Sequence, residues 1–187
     1  MGLLNSLIFD KLQNKREQIK KMDETYYLPE DIDKNDPLWK LRTINDIIIA
    51  MCGRMTRKSG FGENMGALST EERVFYVITD VYSQVTSMGF EHYFFDEAGR
   101  YAMEVGDALR TIGAEKRAAI ADKALEIVGG TLSENDKERA SFIRNGLTDE
   151  QRSALTECDE QFKAIEDDIN RLLFVYIREY HYNFTEE

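Results

Sequence analysis

The stretch Val81–Ala114, VYSQVTSMGFEHYFFDEAGRYAMEVGDALRTIGA, decides the fold. Four aromatics fall within six residues (Phe90, Tyr93, Phe94, Phe95), and Tyr101 follows just past Gly99. Gly89 is placed to stop a preceding helix in the left-handed conformation that glycine adopts without strain, and Gly113 to stop the next one. Between them Tyr101, Val105, Leu109 and Ile112 recur at spacings of three and four, the signature of one helical face. The reading is a helix, a short aromatic turn over Phe90–Phe95, and a second helix reset at Gly99, with Phe90, Tyr93, Phe94 and Tyr101 filling a core.

Helical spacing extends outward in both directions. The only prolines, Pro29 and Pro37, lie in the first fifth of the 187 residues, so nothing after them forbids long helices. Upstream, Ser69 and Glu72 form a capping box for a helix carrying Phe75, Ile78 and Val85. Further back, Asp36 as N-cap and Pro37 at the first helical position start a helix through Leu38, Leu41, Ile48 and Cys52. Gly53 and the glycine-rich 59–66 segment are expected to end it. A first helix over Asn5–Met22 has Ile8, Leu12 and Ile19 on one side and Lys11, Lys15 and Lys20 on the other.

Downstream, Ala114–Val128 forms a helix ending at Gly129-Gly130, and Ser133 caps a shorter one closing at Asn145-Gly146. Thr148 with Gln151 opens a long last helix, bent near Thr156, with Leu155, Phe162, Ile165, Ile169, Leu172, Leu173, Tyr176 and Tyr180 inward. The expected architecture is all-α: a single compact domain of about seven or eight helices with a helical N-terminal extension. Residues 1–66 are expected to form that extension with its glycine-rich linker, and 67–187 the acidic helical domain.

Charge is distributed unevenly. Residues 1–62 hold 11 Lys and Arg against 9 Asp and Glu; residues 63–187 hold 13 against 26. An acidic body of this kind repels nucleic acid and membrane surfaces and attracts basic partners. The longest apolar run, Ile47–Cys52, is far too short to span a bilayer. No secretory leader is expected, and Met1-Gly2 with Ser6 fits the acylation pattern only as a short motif. Cys52 and Cys158 lack metal-ligand spacing, so two buried reduced thiols of a cytoplasmic protein are the expectation.

Catalytic chemistry fails on inventory. The two histidines, His92 and His181, belong to no HExxH or ExxH motif, and no Walker loop, GxSxG or dinucleotide fingerprint is present. No metal and no cofactor is expected. A cleft gathering Tyr93, His92 and Asp96 is the one arrangement that would point to an enzyme. The carboxylates cluster instead on helix surfaces: Glu97, Glu104 and Asp107 beside the Tyr101 stripe, and Glu160, Asp167 and Asp168 near the C-terminus. Arg100–Glu104 and Asp167–Arg171 are spaced for ordinary ion pairs on a solvated face.

The segment SMGFEHYFFDEAGRYAMEVGDALRTIGAEK resembles the signature of the bacterial DNA-mimic protein family, in which a GGFxQYFxN turn leads into a helix ending in IGA. Gly89-Phe90, Tyr93-Phe94, Gly99, Ala108-Leu109 and Ile112-Gly113-Ala114 match, and Asp159, Glu160 and Phe162 resemble the family's C-terminal helix. The chain departs from that pattern at Ser87-Met88, His92 and Asp96. The resemblance implies a helical fold and a non-enzymatic protein that occupies the basic surface of a DNA-binding protein or transcription factor. On that reading the partner-binding residues are Glu97, Glu104, Asp107, Glu160, Asp167 and Asp168, with Gly89, Phe90, Tyr93, Phe94, Gly99, Tyr101 and Gly113 as the structural motif. An immunity or adaptor protein neutralising one toxin or enzyme is the alternative. Direct nucleic-acid or membrane binding is not expected, and a homodimer formed by exchange of the N-terminal arm stays open.

Overall fold

The computed structural model describes residues 28–41 and 43–184. Every regular element among them is helical. The helix expected over Asn5–Met22 lies outside the described residues. Eight α-helices follow in order: α1 (Ile44–Lys58), α2 (Thr70–Met88), α3 (Phe90–Phe95), α4 (Val105–Thr111), α5 (Glu115–Ile127), α6 (Asp136–Asn145), α7 (Asp149–Lys163) and α8 (Ile169–Glu179). The chain divides into two compact units, one of residues 1–54 with 168–187 and one of residues 55–167.

In the first unit Asp36 caps a single 3-10 stretch, Pro37–Lys40, rather than a long helix. Its Oδ1 accepts from the Leu38 amide at 2.8 Å, and Arg54 grips the same carboxylate from both nitrogens. Burial alone would raise the Asp36 pKa, but those hydrogen bonds outweigh it and hold the carboxyl below its usual range. The α-helix starts afresh at Ile44, where the Asp46 amide donates to Thr43 Oγ1. It runs through Gly53 to Lys58, so Gly53 does not stop it: Met51 and Met55, both buried, carry the apolar stripe across that position. Every residue from Leu172 to Ile177 of α8 is buried, so this helix has no exposed face over those six residues. Tyr180, expected inside, is 37% exposed.

In the second unit α2 is the longest helix and opens with the expected capping box: Ser69 Oγ takes the Glu72 amide and Glu72 takes the Ser69 amide. It packs against α3, α4 and α7, while α5 packs between α4 and α7. Phe75, Ile78, Val81 and Val85 of α2 are fully buried, each stabilising the unit by about 1.5–3 kcal/mol on transfer arguments. Three local expectations are corrected. The aromatic stretch is a six-residue helix, not a turn. Glu97–Glu104 is a 3-10 run that becomes α-helical only at Val105. Asn135, not Ser133, caps α6, its Oδ1 accepting from the Lys137 and Glu138 amides.

The last helix is also not continuous. It breaks over residues 164–168, well past Thr156, because Arg117 draws the Phe162 and Ile165 carbonyls to itself. Both cysteines are free thiols; Cys158 is buried and Cys52 only half-buried.

Candidate partner-binding surface

The aromatic segment is a clamp for two other elements rather than a site. Gly89 sits at φ 89°, where its amide closes α2 and a Cβ would collide with the Asp159 carboxylate. Asp159, from α7, accepts the Phe90 amide at 2.7 Å and so caps α3, while Phe162 meets the Phe90 ring edge-on at 5.3 Å. Burial pushes the Asp159 pKa up, against the Phe90 amide that favours the ionised form. Gly99 leaves room for backbone: an added Cβ would lie 2.8 Å from the Tyr93 carbonyl and 2.9 Å from Arg139 Nε. Phe90, Tyr93 and Phe94 are buried, whereas Tyr101 is half-buried with its hydroxyl donating to the Gly62 carbonyl at 2.7 Å. Gly113, at φ 83°, ends α4 as its own amide bonds the Arg110 carbonyl.

Two buried arginines, unnoticed in the sequence, organise this unit. Arg139 is wholly buried and donates to the Phe94, Ser133 and Asp96 carbonyls at 2.8–3.1 Å and to Asp136 at 2.6 Å. Arg117, 2% exposed, donates to the Phe162 and Ile165 carbonyls and to Asp167 at 2.7 Å, and lies over the Phe162 and Tyr82 rings. Their spacing along α5 and α6 looks like that of any surface arginine, so the sequence carried no signal for them. Buried guanidinium needs such a shell, since its desolvation otherwise costs several kcal/mol.

These contacts sort the acidic residues. Glu104 is held by both nitrogens of Arg73 at 2.6 Å, and that bond raises the Arg73 pKa. Arg100 therefore pairs not with Glu104 but with Asp136, at 2.8 Å. Asp167 points to Arg117 instead of Arg171. Asp168 caps α8 through the Arg171 amide, and Asp107, almost fully exposed, pairs with Arg110. Glu97 and Glu160 are exposed, and neither they nor exposed Glu157 has an ion pair among the described residues. Residues 55–167 hold 22 Asp and Glu against 13 Lys and Arg. Because Arg73, Arg117 and Arg139 are engaged, the unneutralised charge lies outward.

The enzyme-like trio does not form one cleft. Tyr93 is buried and its phenol pushed far up by burial. His92 is half-buried, with Nδ1 enclosed and unbonded. Asp96 turns to the Glu97 amide at 2.8 Å and lines a cavity that neither of the other two borders. Among the described residues no group of three or more His, Cys, Asp or Glu is arranged to hold a metal, and no helix is long and apolar enough to cross a membrane.

Neither curated proteins nor solved structures match the chain. Residues 66–180, more than half of the chain and including the aromatic clamp, match the family described as DMP19-like protein, and the chain belongs to that family.

Proposed function

We propose that this protein is a non-enzymatic DNA mimic that occupies the basic surface of a DNA-binding protein in the cytoplasm, without a cofactor. Membership of the DMP19-like family, a DNA-mimic family, supports the reading. The observation that carries it beyond membership is the outward, unpaired charge of the second unit: Glu97, Glu157 and Glu160 stand on firm helical backbone with no cation of their own. Carboxylates one helical turn apart repeat at about 5 Å along the axis, the same order as charge spacing along a DNA strand. Asp107, paired with Arg110 but almost fully exposed, adds to the charge of this unit, and Asp168 is a further candidate in the other unit; Glu104 and Asp167 contribute less because Arg73 and Arg117 already neutralise them.

The test is capture of partners from a native lysate on the full-length protein, followed by elution with either duplex DNA or salt. A DNA-binding protein released by both is expected, since association driven by such charge weakens steeply with ionic strength. Captured proteins that duplex DNA does not displace, or capture indifferent to salt, would overturn the proposal.

A further inference from the structure

A cavity of about 150 Å³ opens between α2, the 3-10 run that follows α3, and the loop at Gly62. Its walls present acceptors and ring faces. Asp80 and Gln84 come from α2, one turn apart, and Gln84 Nε2 donates to Asp80 Oδ1 at 3.2 Å. That bond turns Gln84 Oε1 away, where it is enclosed and has no hydrogen bond. Asp80 has no cation partner among the described residues, and burial together with the Asp96 charge raises its pKa. Asp96 and Glu97 add carboxylates to the opposite wall. The one cationic wall residue, Arg100, is already committed to Asp136 and to the Glu97 carbonyl.

The remaining walls are aromatic and firmly placed. Tyr101 is tied to the Gly62 carbonyl, and Tyr76 lies so close under Gly62 that a Cβ there would come within 2.9 Å of its hydroxyl. Phe61, at the rim, is 78% exposed and held at φ 62°, a left-handed conformation that is strained for a non-glycine residue. A half-buried carboxylate without a cation, further carboxylates across from it, and flat rings beside them match one ligand chemistry. A guanidinium is planar, donates from several nitrogens at once and stacks on aromatic faces.

We propose that this cavity receives the guanidinium of one arginine from the basic protein partner, with the Asp80 carboxylate accepting its N–H groups and Tyr76 or Tyr101 flanking its plane. This rests on the reading of a basic partner and deepens it: the broad acidic surface attracts, and the cavity selects an arginine.

The experiment titrates the full-length protein with methylguanidinium, against methylammonium and sodium at matched ionic strength, following the Gln84 side-chain amide and the tyrosine rings by NMR. Saturable shifts confined to those groups are expected for methylguanidinium. Asp80→Asn should weaken binding about tenfold or more, the scale of a hydrogen bond to a charged group. Gln84→Leu should weaken it less, and Glu115→Gln, at an exposed position away from the cavity, should leave it unchanged. Linear shifts equal for all three cations overturn the proposal, as does unaltered affinity in both folded variants. Equally tight, saturable methylammonium binding overturns the assignment to arginine. Should methylguanidinium bind while no DNA-displaceable partner is captured, the DNA-mimic reading fails and the cavity stands; the reverse result removes the cavity alone.

Discussion

Charged residues at the end of α3 and along the outer face of α7 do opposite work. The Arg139 charge is fully answered: five carbonyl oxygens and Asp136 surround one guanidinium, and Arg100 shares the same carboxylate. On α7, Glu157 and Glu160 face solvent with no cation assigned to them. The first arrangement spends charge on holding loops and helix ends together; the second leaves it for something outside the molecule. An acidic net charge by itself does not distinguish these uses.

The sharpest way to break the comparison is Arg139→Met. It leaves several buried carbonyls without their donor and Asp136 with Arg100 alone, and the expected loss is about 3–5 kcal/mol in denaturant unfolding. Arg139→Lys should recover only part of that, because one ammonium cannot replace the planar fork. A loss under 1 kcal/mol would show that water substitutes for the guanidinium and that the region is not organised by it.

Gly89→Ala comes next. It demands a strained φ and pushes on Asp159, so a loss of about 1–3 kcal/mol is expected by thermal or denaturant unfolding. Asp159→Ala in the same background should relieve the steric part while removing the Phe90 cap, leaving the pair less than additive.

Asp80→Asn should act in the other direction. The folded carboxyl has a raised pKa, so the folded state holds its proton more tightly than the unfolded chain does. The ionised group therefore costs stability above its folded pKa, and that cost fades as pH falls towards the ordinary value near about 4. The variant should be more stable than the parent at pH 7 and lose that advantage on acidification. Unfolding midpoints compared at both pH values check this, and an advantage that grows in acid contradicts it.

The smallest stability effect belongs to Glu157→Gln with Glu160→Gln, within about 0.5 kcal/mol, as for solvated surface positions. The same double variant should flatten the salt dependence of partner capture. If it instead destabilises the fold, the outer face of α7 belongs with the Arg139 region and the contrast collapses.

What could be read in the sequence follows the range of the interaction. Both capping boxes, Ser69 with Glu72 and Thr148 with Gln151, close within three residues and appear where their spacing places them. The break after α7 was hidden because Phe162, Ile165, Ile169 and Leu172 keep helical spacing across it. What opens the helix there is Arg117, 45 residues away from Phe162. The candidate surface was legible in the same partial way. Its composition was visible, but the pairing of Glu104 with Arg73 and of Asp167 with Arg117 spans 31 and 50 residues and overrides the neighbours at i+4. The cavity beside Asp80 had no sequence signal, since it depends on how residues 61–62, 76–84 and 96–101 come together.

The cap that Asp159 places on Phe90 also has a consequence in time. Donor and acceptor are 69 residues apart, so the aromatic helix is made long before its cap exists. At about 5–20 residues per second of synthesis, that interval lasts several seconds, during which Phe90 lacks both its Asp159 cap and the Phe162 ring that meets it. A nascent chain paused before residue 149 should therefore expose a sticky aromatic segment, and its release from chaperone should track the emergence of α7 rather than of the aromatic helix itself.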